Sequence, residues 1–130
     1  MSVDEGLSYY AEAAQDLVSA NLSNAAGMHY NCVDLCNQAA EKTLQALYTA
    51  THESRATYDH DLRKLGELVN APEEILANLD ALNPYHPSVF LEKVSADAAD
   101  DEVGGEVASD LLTRTRAILA WARPILFAMM

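Results

Sequence analysis

The chain has 130 residues, enough for one packed domain and too few for two. Half of them are hydrophobic, glycine (5) and proline (4) are scarce, and alanine and leucine dominate over β-branched and aromatic residues, which favours helix over strand. Eight basic against 20 acidic residues give a formal net charge of −12, which repels a phosphate backbone, excludes a broad grip on nucleic acid and favours solubility.

The opening Met1-Ser-Val-Asp-Glu-Gly6 has neither the basic start nor the apolar run of a signal peptide, and no stretch approaches the length of a membrane span. The cytoplasm is therefore the expected compartment, with no membrane contact. Ser2-Val-Asp-Glu5 reads as a capping box ahead of a first helix over about residues 3 to 22. Leu7, Tyr10, Ala11, Ala14, Leu17, Val18, Asn21 and Leu22 follow the spacing of its inner face. Gly6 weakens its first turn by roughly 1 kcal/mol.

Ser23 to Gly27 ends that helix, and a second follows over about 28 to 51. It carries two apolar stripes, Cys32, Leu35, Cys36, Ala39 and Ala46 on one, Val33, Ala40, Leu44 and Leu47 on the other. A helix apolar on more than one face sits centrally in a bundle. His52 to Tyr58 is a linker, and Asp59 is the expected cap of a short third helix, His60 to Val69, burying Leu62, Leu65, Leu68 and Val69. Pro72-Glu-Glu74 starts a fourth helix, with Pro72 in its first position, that buries Ile75, Leu76, Leu79 and Leu82 and stops at Asn83-Pro84. A long connection, acidic at its end (Asp97 to Glu102), leads to a fifth helix over about 102 to 128, where Pro124 should kink or loosen the last turn. Leu111, Ile118 and Ile125 form one seven-spaced stripe on it, and Leu112, Leu119 and Leu126 the next. The expected fold is all-α: one domain over residues 1–130, an antiparallel up-and-down bundle of about five helices.

Three groups of residues carry possible chemistry. Cys32 and Cys36 lie one turn apart, with Cβ atoms about 5–6 Å apart, too far for an unstrained disulfide. With His29 they share a face, yet no second Cys or His pair completes a tetrahedral site, so they read as buried small apolar residues, and no metal is expected. Gln38, Glu41 and Lys42 share a face of the central helix, where polar groups need partners. They either satisfy loop backbone and helix ends or line a cleft.

The run Gln38-Ala-Ala-Glu-Lys-Thr-Leu-Gln-Ala-Leu-Tyr48, followed after a short linker by His60-Asp-Leu-Arg-Lys-Leu65, resembles the HEPN domain. The family is named for its occurrence in higher eukaryotes and prokaryotes and for a proposed nucleotide-binding role. Ala14-Gln-Asp-Leu17 fits its opening helix, and the resemblance covers essentially the whole chain, as a small stand-alone bacterial or archaeal type. It implies a cytosolic helical bundle, a homodimer, and pairing with a small nucleotidyltransferase in a module resembling a toxin–antitoxin pair. Some members are metal-independent ribonucleases that use an Arg followed, after four to six residues, by a His near the start of the last long helix. Here that helix carries Arg114, Arg116 and Arg123 and no His, so the motif is absent and an enzyme is not the expected reading.

Arg55-Ala-Thr-Tyr-Asp-His60 matches the same spacing in the linker, where His could act as base and Arg hold a phosphate. A pattern this loose arises by chance in about one such chain in two, and the position departs from the family's. After the fourth helix many relatives carry Arg-Tyr-Pro and an acid; here Pro84-Tyr-His-Pro-Ser88 keeps the proline and an aromatic but not the Arg or the acid. The reading is thus a non-catalytic binding module. Lys42, His60, Tyr85 and His86 are the candidate ligand residues for a nucleotide, Lys42 meeting phosphate and Tyr85 stacking a base. Gln38, Glu41 and Asp61 form a structural polar cluster, and no cofactor is implied. The alternatives are a ribonuclease using Arg55 and His60, or a purely structural interaction domain.

Overall fold

The computed structural model describes residues 2–130. Six α-helices follow in order: α1 (Ser2–Ala25), α2 (His29–His52), α3 (Leu62–Leu68), α4 (Glu73–Leu82), α5 (Pro87–Phe90) and α6 (Ala99–Phe127), and no strand forms among the described residues. The expected all-α bundle is the fold observed. The sixth element, α5, is a single helical turn inside the connection read as a loop. It forms because His86 leaves the preceding turn in extended backbone and its Nδ1 accepts from Ser88 N–H, with Pro87 at the first helical position.

The central helix is α2, which packs most extensively against α1 and then α6. Both of its stripes are buried, Leu35 only partly. Cys32 and Cys36 are free thiols inside the core, and a hydrogen bond to Cys36, followed by burial, pushes the Cys32 thiol far up. On α4 all four expected residues are buried, and on α6 the two stripes are buried except Ile125. Leu68, the last residue of α3, is exposed rather than buried, and Val69 just after it is only half-buried.

The expected inner face of α1 is split: Leu7, Tyr10, Ala14 and Leu17 are half-buried against the core, but small residues form its closest contact. Gly6, Ala13 and Ala20 are buried, whereas Ala11, Val18, Asn21 and Leu22 face outward. Seven-spaced small residues let α1 approach α2 closely. A Cβ on Gly6 would stand 2.7 Å from the Ala46 carbonyl oxygen, so the glycine that costs the helix propensity is what lets the two backbones meet. The capping box is not seen among the described residues, where Ser2 is already helical and its Oγ is buried without a partner.

Three further boundaries differ from expectation. Asp61, not Asp59, caps α3, accepting from Arg63 N–H at 3.0 Å, while His60 stands outside the helix. Pro72 is the cap residue of α4 rather than its first position, with extended backbone at ψ 162°. Helix α6 runs through Pro124 to Phe127, and its interruption falls at Gly104 instead, at φ 73° and ψ 160°, a backbone region essentially restricted to glycine. The break turns the first residues of α6 over the start of α2, where Asp100 accepts from Tyr30 N–H at 2.9 Å.

Buried amides fasten the connecting segments to α2. Gln45 is fully buried; its Nε2 donates to the Ala56 carbonyl (3.0 Å), and its Oε1 accepts from Ala56 N–H (2.8 Å). Asn37 Nδ2 donates to the Leu82 carbonyl at 2.8 Å, tying down the end of α4. Asn83 bridges the two segments: its Oδ1 accepts from Leu62 N–H and its Nδ2 donates to Asp61. Gln45→Ala strands both Ala56 backbone groups in the core, so chemical unfolding should show a loss of about 2–4 kcal/mol. A loss under about 0.5 kcal/mol would show that the linker does not depend on this amide.

Candidate functional site

The clamp on Ala56 lays the linker across the middle of α2. Between the linker, α2 and the Tyr85–Pro87 turn opens a cleft of two lobes. The first, about 500 Å³, is lined by Glu41, Arg55, Thr57, Tyr58, His60 and His86. The second, about 250 Å³, is lined by Asp34, Asn37, Gln38, Glu41, Tyr58 and His86. Glu41, Tyr58 and His86 belong to both, so the lobes adjoin one another.

Arg55 Nη2 donates to Glu41 Oε2 at 3.0 Å across the cleft mouth. The Arg55 side chain is 57 % exposed and the Glu41 side chain 19 %, so the cation is at the rim and the carboxylate is deeper. The rings of His60 and His86 lie 4.1 Å apart, tilted by 36°, and Tyr58 meets His60 edge-on at 5.5 Å. His60 adopts a left-handed backbone, φ 72°, which turns the chain into α3. Tyr58 Oη is buried and has no hydrogen-bond partner among the described residues. Burial pushes the Tyr58 hydroxyl far above the ordinary tyrosine range, with Glu41, Asp61 and Asp59 adding to it, so it stays protonated and is a hydrogen-bond donor.

His86 Nδ1 accepts from Ser88 N–H at 3.1 Å, which places the ring proton of neutral His86 on Nε2. Burial lowers its pKa, and the neighbouring His60 lowers it further, against Asp34 and Glu41, which raise it. A second imidazolium at 4.1 Å is unfavourable in a partly buried site.

The four ligand candidates do not gather in this cleft. His60 and His86 line it together. Lys42 does not: its Nζ pairs with Asp16 (2.8 Å) and Glu12 (3.8 Å), because Lys42 projects from the side of α2 that faces α1. Tyr85 also lines neither lobe. Its ring packs beside Phe90, which stacks on Tyr30, and this aromatic row fastens the connection to the start of α2. Of the polar cluster, Gln38 and Glu41 line the cleft, whereas Asp61 caps α3 and accepts from Asn83. Arg55 and His60 do share the first lobe. The guanidinium is paired with Glu41 and the imidazole lies against the His86 ring.

Tyr58 and Gln45 escaped the sequence reading. Gln45 gave a usable signal, since an amide on a helix apolar all round must find a buried partner. Tyr58 gave none, because a tyrosine in a polar linker looks the same whether its hydroxyl is buried or solvated. Of the other basic motif residues, Arg63 holds α3 to α4 through Glu73 and Asp80, and Lys64 pairs with Asp59.

A long α1–α2–α6 core, a short α3–α4 pair and a polar cleft under the intervening linker define a HEPN-type bundle. The sequence pattern of the HEPN domain matches residues 8–125, and the chain belongs to that family. Among solved structures it is similar to TT1696 from Thermus thermophilus, at 22% identity and TM-score 0.79, covering 92% of this chain and 97% of that one. It is also similar to ST0689, an archaeal HEPN homologue, at 22% identity and TM-score 0.78, covering 94% and 98%. No curated protein matches the chain. No helix among the described residues is long and apolar enough to cross a membrane.

The His86 geometry sets a pH dependence. A histidine whose folded pKa is depressed contributes stability that is present above the unfolded value, about 6.5, and lost as pH falls through the folded value. Thermal unfolding midpoints should therefore drop between pH 7 and pH 5. The drop should shrink in His86→Asn, whose Oδ1 still accepts from Ser88 N–H but does not titrate. Equal pH slopes for the two proteins would remove His86 as the cause.

Proposed function

We propose that this chain is a non-catalytic HEPN-type binding module. It works as a homodimer beside a small nucleotidyltransferase partner, in a toxin–antitoxin-like pair, and takes a nucleotide in the Glu41–Tyr58–His86 cleft. The observation that carries the binding half is the cleft itself, lined by Glu41, His60, His86 and Tyr58, whose hydroxyl has no partner among the described residues. The non-catalytic half rests on α6, which has no histidine after any arginine. Its arginines are engaged elsewhere, Arg114 with Asp110 and Asn78, Arg116 with Asn21, and Arg123 over the Phe127 ring. The partner and the class of ligand follow from family membership, an analogy that co-purification of a nucleotidyltransferase from the host tests directly.

A ligand that binds only the native state raises the unfolding temperature. A panel of nucleotides at millimolar concentration should therefore shift the midpoint of the purified protein upward for at least one base. A flat panel would leave a protein-interaction domain as the function.

The homodimer reading is supported by the outer face of α1. Val18 is 61% and Leu22 64% exposed, and α6 adds the exposed Ala117 and Ala120 alongside. Light scattering should give the mass of two chains, and Leu22→Asp with Val18→Asp should give one. A wild-type monomer at micromolar concentration would overturn this part.

A further inference from the structure

Three features of the cleft limit what a ligand can present to it. Tyr58 lines both lobes, and its hydroxyl is buried with no partner among the described residues. It can donate one hydrogen bond inward. Glu41 also lines both lobes; Arg55 takes only its Oε2, so the carboxylate keeps accepting capacity. The charge balance runs against an anion. Arg55 at the rim and Glu41 neutralise one another, which leaves Asp34 as the remaining charged residue of the lining. A phosphate drawn inside would meet carboxylate repulsion in a partly water-excluded space.

A ligand satisfying these groups has a hydrogen-bond acceptor beside an N–H donor on a flat edge, and a planar face for the His60–His86 wall. The edge of a nucleobase has this pattern. We infer that the cleft takes a nucleobase edge-first, with the Tyr58 hydroxyl donating to a ring acceptor and the Glu41 carboxylate accepting from an N–H, and leaves the phosphates in solvent. This rests on the nucleotide reading above and sharpens it: the base supplies the affinity and phosphate number does not. The base can arrive on a free nucleotide or on a single strand.

Isothermal titration of the purified protein with the four ribonucleosides, their 5′-mono- and triphosphates and a single-stranded hexa-adenylate tests it. At least one nucleoside should bind, and no phosphate-bearing form of that base should exceed it by more than about fivefold. Affinity that climbs beyond that from nucleoside to triphosphate overturns the base-first orientation while leaving nucleotide binding in place, whereas a strand that binds more than about sixfold tighter than adenosine assigns the base to a single strand as its source. No binding by any ligand overturns the nucleotide reading as well. Tyr58→Phe should weaken nucleoside binding about tenfold. Its unfolding midpoint should not fall, since the hydroxyl it removes has no partner in the free protein. Unchanged binding by Tyr58→Phe would remove Tyr58 as the reader of the base. The same lobes predict that Glu41→Gln, which frees Arg55, gives triphosphates a gain over nucleosides; no such gain would overturn the assignment of Glu41 as the screen against phosphate.

Discussion

The amide of Gln45 against the backbone of Ala56 is the interaction on which the upper half of this molecule depends. A linker crossing the face of a buried helix has backbone groups that must be satisfied away from water. One fully buried glutamine satisfies both groups of one linker residue. Ala56 is thereby fixed against α2, and its neighbours on either side take defined positions. Arg55 falls over Glu41, Tyr58 enters the core edge, and His60 turns into α3. Asn37 and Asn83 extend the same device to the end of α4 and the start of α3. The cleft is the space left where these pinned segments fail to close on α2.

Charge follows the same division between scaffold and cleft. A chain of net charge −12 has few cations to place, and half of its eight Lys and Arg hold helices together. Lys42 ties α2 to α1, Arg63 ties α3 to α4, and Arg114 and Arg116 reach from α6 to α4 and α1. Arg55 stands at the cleft mouth, and it is matched by Glu41.

Small residues set how closely the long helices approach. Gly6, Ala13 and Ala20 line the contact of α1 with α2, and the larger Val18 and Leu22 are left outside. An apolar pattern read as an inner face is therefore split between an intramolecular seam and an outward surface. The positions of Gly6 and Gly104 follow the same logic, one permitting close approach and the other a turn that no side chain allows.

Helical periodicity, the breakers at Gly27 and Pro84 and the paired motifs around Gln38 and His60 determined the fold class, the element order, the central place of α2 and the family. These are local or repeating signals, and a helix writes its own period into the sequence. The core of α2, α4 and α6 was legible for the same reason. The site was legible only in part. Glu41, Arg55, His60 and His86 are visible as polar residues, but their meeting depends on segments brought together across the bundle by buried amides. Lys42 and Tyr85 looked equally suited and point elsewhere, one to the acids of α1 and the other to Phe90. Which polar residue is engaged by a neighbouring helix and which is left facing a cleft depends on the direction in which each side chain leaves its element. Sequence spacing fixes that direction relative to its own helix, and only tertiary packing fixes what stands opposite.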